Sequence, residues 1–299
     1  MTERTRRFES LRRAAKAVPG AVSVYQWIKP PPEARITRLL DDAAKLIRTH
    51  GLTEATVTAE GGFFRSPWGA EFMYVPNWGA YGAERGMLHE EVELEHCART
   101  LPQGATVVDV GANLGAFSLN LAVRRPDLSF QAFEPVGYTH GFLAANVRRN
   151  KLEGRVRLHR AAVSDKPGTV EITNRQHTDN HILPGNGGSR GASHETVPAV
   201  TVDDVVRNAG IRGVALLKAD VEGAELLALK GAQTLLREQR PDLFLEVVEE
   251  HLNRFGSTIA DLDAYLTGLG YVLSSPAGFL PHNRLYRHPA GPAPAAETA

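Results

Sequence analysis

One stretch of the chain has the residue types of a ligand cradle: Asp109-Val110-Gly111-Ala112-Asn113-Leu114-Gly115. Glycine at 111 and 115 lets the backbone turn tightly and approach a bound group closely. The apolar run before the loop reads as a strand, and the residues after it read as a helix. The unpaired N–H groups of that helix start therefore face the same spot. The spacing is Gly-x-Asn-x-Gly, which differs from the Gly-x-Gly-x-x-Gly of dinucleotide-binding loops. Asp109 suits a cationic ammonium and would repel a pyrophosphate.

The next strand ends in Phe133-Glu134-Pro135, with Glu134 25 positions after Asp109 and 19 after Gly115. An acid about 20 residues beyond such a loop can accept hydrogen bonds from both ribose hydroxyls. Loop and acid together point to a nucleoside, and Asp109 points to a nucleoside that carries an ammonium. S-Adenosylmethionine meets both conditions. A nicotinamide-dependent oxidoreductase is the weaker alternative, because the loop spacing and Asp109 oppose it.

In an open parallel sheet, ligands sit beyond the carboxyl ends of the strands. Asp220 and Glu222 end one strand-like run, "VALLKADVE". Glu246 and His251 lie at or just past the end of another, and Asp179, Asn180 and His181 sit in a long polar loop. Methyl transfer from a sulfonium is an in-line displacement, so alignment of oxygen, carbon and sulfur supplies much of the acceleration. A hydroxyl acceptor also needs a base for its proton. Histidine titrates near neutrality, which makes His181 and His251 the candidates. Asp220 stands where it could face both cofactor and reacting hydroxyl; Asp179, Asn180, Glu222 and Glu246 are candidate acceptor contacts.

These residues need elements to hold them. Residues 1–50 read as helical, and 52–85 as short strands or a hairpin, with "SPWGAEFMYVP" the best strand candidate. The aromatic stretch 63–81 could form a lid or an acceptor-binding wall, or an accessory sheet with its own core. A helix is expected over 86–100. From residue 104 strands alternate with helices: "ATVVDV", "LSFQAFE", "RVRLHRAAV", "VALLKADV" and "DLFLEVV" as strands, "GAELLALKGAQTLLRE" and "IADLDAYLTGLG" among the helices. "GTVEIT", the loop 174–195 and "TVPAVTVDDVV" interrupt the series, and "YVLSSP" and "NRLYRH" are late strands. That alternation predicts an α/β fold, doubly wound around a mainly parallel sheet. The expected division is an N-terminal extension over 1–85, a nucleoside-binding domain over 86–288, and a disordered tail over 289–299.

The ordered blocks "VVDVGANLGAFSL", "AFEPV", "AAVSDKPGTVEI" and "LLKADVEGAELLALKGAQTLL" resemble the FkbM family of S-adenosylmethionine-dependent methyltransferases, which has a class I, Rossmann-like fold. The resemblance runs from about residue 86 to residue 275. It implies methyl transfer, commonly to oxygen, on natural products, sugars or glycans. It places the cofactor loop on Asp109, Gly111, Ala112, Asn113 and Gly115, and the ribose acid on Glu134 beside Pro135. Ala162 and Ser164 would flank the adenine. The family usually has a histidine soon after the strand-5 glutamate; here Glu246 matches and the nearest histidine is displaced to His251. Enzymes similar to catechol O-methyltransferase instead bind Mg²⁺ through strand-end carboxylates, and Asp220 and Glu246 occupy the corresponding ends. The Asp-Asp or Asp-Asn pair expected of such a site is missing, so a metal-free mechanism is favoured. Asp220-Val221-Glu222-Gly223 also fits a plain helix cap with an acidic first turn.

Composition narrows the partners. The 299 residues carry 34 basic and 34 acidic side chains, so no overall field favours nucleic acid or an anionic membrane. The local basic excess from Arg4 to Lys16 reads as a solvated segment. A single cysteine, Cys97, excludes an internal disulfide and lies in an apolar-periodic stretch, as a buried core thiol would. No apolar run is long enough to span a membrane, and no apolar segment follows the basic start as in a secretory signal. A cytoplasmic enzyme with a small hydroxylated acceptor is expected, and a homo-oligomer stays open.

Overall fold

The computed structural model describes residues 54–58, 61–73, 90–174, 180–183 and 193–292. It opens with strands β1 (Glu54–Thr58), β2 (Gly61–Arg65) and β3 (Glu71–Met73), which form a small antiparallel sheet. Helix α1 (Glu91–Thr100) leads into β4 (Thr106–Val110), α2 (Ala116–Arg124), β5 (Ser129–Phe133), α3 (Gly137–Arg149) and β6 (Val156–His159). Then come β7 (Ala162–Val163), β8 (Gly168–Thr173), β9 (His194–Val200) and α4 (Val202–Asn208). Strand β10 (Val214–Ala219), helices α5 (Glu225–Lys230) and α6 (Gln233–Glu238), and strand β11 (Asp242–Glu246) follow. The described chain ends with α7 (Glu249–Asn253), α8 (Ile259–Gly268), β12 (Val272–Leu273) and β13 (Asn283–Arg287).

Among the described residues the central sheet has seven strands in the order β12-β13-β11-β10-β4-β5-β6. β11 through β6 run parallel, and β13 is antiparallel to both neighbours. Every residue of β4 and of β10 is buried, as strands covered on both faces require. One face packs Phe117, Leu121, Phe130 and Phe244; the other packs Leu217, Leu229, Leu236 and Leu245. The expected doubly wound fold is therefore present. Chain progression reverses direction between β4 and β10, which opens a crevice at their carboxyl ends.

Three expectations need correction. "RVRLHRAAV" is not one strand: β6 stops at His159, and Ala162–Val163 pairs with β9 in a separate sheet ordered β7-β9-β8. β5 ends at Phe133, and its ladder with β6 closes when the Glu134 N–H donates to the His159 carbonyl at 3.1 Å. Beyond that point Ala162 has no partner strand in the main sheet. The long helix over 223–238 is two helices, the first capped by Gly231, which lies against the Ser164 carbonyl so closely that a Cβ would come within 2.0 Å. In "SPWGAEFMYVP", Ser66 and Gly69 close a turn between β2 and β3, with the Ser66 N–H donating to the Ala70 carbonyl at 2.8 Å.

The small N-terminal sheet is tied to the domain by two asparagines of α3 and its end. Buried Asn146 accepts from the Met73 N–H at 2.7 Å and donates to the Leu114 carbonyl at 2.9 Å. Asn150 accepts from the Glu71 N–H at 2.8 Å. Cys97 is buried, as expected. β8 and β9 form the antiparallel hairpin on which the 174–193 connection is carried. The helix read over 1–50, the residue Asp179 and the tail after 292 lie outside the described residues.

Candidate active site

The crevice is built around the predicted loop. The Gly111 and Ala112 N–H groups both donate to the Phe133 carbonyl, at 3.0 and 2.9 Å, which bends the chain off β4. Gly111 has φ +83°, and a Cβ there would stand 1.9 Å from the Asp220 carbonyl oxygen. Only glycine lets β4 and β10 approach so closely at their ends. Asn113 also takes a left-handed φ of 53°, and its N–H donates to Glu134 Oε2 at 3.1 Å. Glu134 Oε1 accepts from the Val136 N–H at 2.9 Å. Burial, ahead of these opposing donors, pushes the Glu134 carboxyl up to about 8. Asp109 is fully buried, and its Oδ2 accepts from the Ser118 hydroxyl at 2.6 Å. Asp109 Oδ1 and Asn113 Oδ1 are buried acceptors with no hydrogen-bond partner among the described residues.

The opposite wall comes from the ends of β10 and β11. Asp220, Glu222 and Glu246 bring carboxylate oxygens within 4.8 Å of one another. The sequence "DVEGAE" explains this geometry locally. Glu225 Oε1 accepts from the Val221 and Gly223 N–H groups, at 3.0 and 3.2 Å, and so holds a turn that projects Glu222 at φ 55°. Gly223 packs against the His251 carbonyl, where a Cβ would come within 2.2 Å. Glu222 Oε2 lies 3.1 Å from His251 Nδ1, so the turn grips α7 by backbone and side chain together. Burial, and then Arg254, hold His251 below its usual value. Burial and the neighbouring Asp220 push Glu246 up to about 9.

Most sequence-predicted residues converge here. Gly111, Ala112, Asn113, Glu134, Pro135 and Ala162 line the crevice. So do Asn180, His181, Asp220, Glu222 and Glu246. Asp109 and Gly115 support it from beneath: a Cβ on Gly115 would meet Leu119 at 2.4 Å and Leu143 at 2.8 Å. Ser164 is not part of the lining; its hydroxyl turns to Asp165 at 3.2 Å and its carbonyl abuts Gly231. His251 stands behind Glu222 and is also outside the lining. Two charged lining residues escaped the sequence reading, Lys218 and Glu90. Lys218 left one signal, a lone charge inside the apolar run of β10. Glu90 left none, because only the fold brings the residue before α1 to this crevice.

Lys218 is 4% exposed, and its Nζ lies 3.3 Å from Asp220 Oδ2 and 5.7 Å from the centre of the Phe117 ring. Burial opposes its charge, but Asp220, Glu90, Asp109 and Glu246 outweigh that and hold the ammonium well above its usual range. Burial likewise pushes Glu90 up to about 7, against the pull of Lys218. No described helix is long and apolar enough to cross a membrane.

The methyltransferase FkbM domain family matches residues 109–273, from the cofactor-type loop to β12. The chain is 30% identical over 240 residues to the 31-O-demethyl-FK506 methyltransferase FkbM of Streptomyces tacrolimicus, covering 70% of this chain and 88% of that protein. It is 30% identical over 202 residues to the methyltransferase sdnD of Sordaria araneosa, covering 56% of this chain and 74% of that one. Among solved structures, a methyltransferase FkbM from Methylobacillus flagellatus KT aligns at a TM-score of 0.45 and 20% identity, covering 62% of this chain and 43% of that one. The glycine loop, the acid after β5 and the "DVEGAE" turn thus all fall inside the matched region, and the chain belongs to the FkbM family of methyltransferases.

Proposed function

We propose that the chain is an S-adenosylmethionine-dependent O-methyltransferase that acts on a hydroxyl of a small molecule, a natural product or a sugar. One observation carries the cofactor reading. Glu134 is locked to the Asn113 and Val136 N–H groups at the crevice floor, where Asn113 Oδ1 is a buried acceptor with no partner among the described residues, and Asp109 Oδ1 is a second such acceptor beneath the lining. A buried acceptor left unmatched costs about 1–3 kcal/mol, so the site is suited to a ligand rich in donors. Ribose hydroxyls and an ammonium are such donors.

S-Adenosylmethionine bound there supplies a methyl group on a sulfonium. Glu134 accepts from the ribose, Ala162 and Pro135 form the wall beside the base, and Asp109 attracts the ammonium from beneath the loop. His181, on the crevice lining, takes the acceptor proton, and Asn180 and Glu222 contact the acceptor. Oxygen as the receiving atom is supported by the relative named as a 31-O-demethyl-FK506 methyltransferase. The balanced charge of the chain fits a small neutral acceptor better than a nucleic acid.

The experiment has two arms. S-Adenosylhomocysteine, NAD and NADP are compared by thermal shift; a ligand at 100 times its dissociation constant stabilises by about 2.7 kcal/mol. Methyl-labelled cofactor is then incubated with the protein and extracts of the producing organism. Stabilisation by NAD but not by S-adenosylhomocysteine would overturn the cofactor reading, and label found on nitrogen or carbon would overturn the acceptor reading.

A further inference from the structure

The three carboxylates at the ends of β10 and β11 have the reach of a divalent metal site, with oxygens within 4.8 Å. Their surroundings do not fit one. Lys218 projects from β10 two residues before Asp220 and already lies 3.3 Å from its Oδ2. A divalent ion ligated by that oxygen would stand close to a buried positive charge, in a medium that screens poorly. The ammonium has little freedom to withdraw. It is 4% exposed, and it sits over the Phe117 ring at 5.7 Å. It is also attracted by carboxyl groups from four separate places in the chain: Glu90 before α1, Asp109 on β4, Asp220 after β10 and Glu246 on β11.

We propose that Lys218 is the resident cation of the acceptor end of the crevice, its ammonium beside Asp220 taking the place a divalent ion would hold and making the site metal-independent. An ammonium has three donors, and Asp220 engages one. Lys218 lines the crevice, where a hydroxyl losing its proton develops negative charge. The electron pair of the breaking carbon–sulfur bond stays on sulfur, the new bond forms between oxygen and carbon, and the acceptor proton goes to His181. Lys218 stays protonated throughout. The inference rests on the reading of this end of the crevice as the acceptor side.

Mn²⁺ is the probe, with the full chain, read by electron paramagnetic resonance. Wild type is expected to show no Mn²⁺ site. Lys218→Met is expected to gain one, at least about tenfold tighter than any wild-type binding, because the carboxylates lose their internal cation. Adding Asp220→Asn to that variant must remove the gained site, and Lys218→Arg, which keeps the charge, must not create one. A folded Lys218→Met that binds no Mn²⁺ overturns the proposal. So does wild-type Mn²⁺ binding that Asp220→Asn abolishes, an outcome that needs no folded Lys218→Met. Weakened S-adenosylhomocysteine binding in Lys218→Met also overturns it, by assigning the ammonium to the cofactor. Titration of wild type with S-adenosylhomocysteine tests the underlying functional reading separately.

Discussion

The Asn113 N–H donates to Glu134 Oε2 across 3.1 Å, so the loop after β4 and the acid after β5 are joined by a hydrogen bond before any ligand arrives. Asn113 accepts a left-handed backbone conformation to make that contact. The crevice floor is therefore organised in advance, which lowers the ordering cost of binding.

Glu134→Ala should weaken S-adenosylhomocysteine by about 1–3 kcal/mol, the cost of leaving buried hydrogen-bonding groups unmatched. The variant also strands the Asn113 and Val136 N–H groups. Isothermal calorimetry checks it, and wild-type affinity in the variant would sink the assignment of Glu134 to the ribose.

Gly111→Ala should be far more damaging than Gly154→Ala. The first puts a Cβ 1.9 Å from the Asp220 carbonyl at a φ of +83°, and the second meets nothing within 4 Å. Left-handed strain and overpacking together give a loss of about 2–5 kcal/mol at Gly111. Urea unfolding of both variants measures the difference; equal stabilities would mean β4 and β10 do not approach as described.

Stability of the ligand-free protein should fall as pH rises from about 6.5 to about 8. Burial raises Glu134 to about 8, Glu246 to about 9, and Glu90 and Glu225 to about 7, all from 4.5. In that window the folded state holds more protons than the unfolded one, so stability present on the acid side is lost as pH climbs through these values. Each group contributes a slope of at most about 1.4 kcal/mol per pH unit. His140 and His159, lowered by burial from 6.5, act in the opposite sense but only below that value. Thermal melts across the window should slope downward, and less steeply in Glu134→Gln. A flat profile in wild type would show that these carboxyl groups are not held protonated.

Replacing His181 by alanine should cost at least about 100-fold in turnover, the lower end of general-base contributions. S-Adenosylhomocysteine affinity should stay unchanged. His251→Ala is the comparison, because His251 is held behind Glu222 and off the crevice lining. Near-normal turnover in the first variant and loss in the second would move the base to α7.

Elements whose instructions are local were legible in the sequence. Gly111, Gly115 and Glu134 announce themselves by residue type and spacing, and so does the alternation that builds the parallel sheet. Features set by distant contacts were not. Nothing near Arg160 says that β5 has ended and that the chain must leave the sheet. Gly231 ends the first of two helices, and the Ser164 carbonyl against it leaves no room for a Cβ, a contact from a distant part of the chain. Lys218 and Glu90 come to the same crevice from separate elements, so their proximity exists only once the chain has folded.

The hairpin of β8 and β9 has a consequence for how such a chain diversifies. Its ladder pairs Gly168 with Ala199 through to Thr173 with His194, so the two ends of the intervening segment are clamped side by side. Insertions or deletions between those ends leave the strand register intact and leave Asp109, Gly111 and Glu134 untouched on β4 and beyond β5. The inserted segment and the glycine loop are thus mechanically separate parts of the fold. The first can be rewritten by mutation while the second is inherited unchanged.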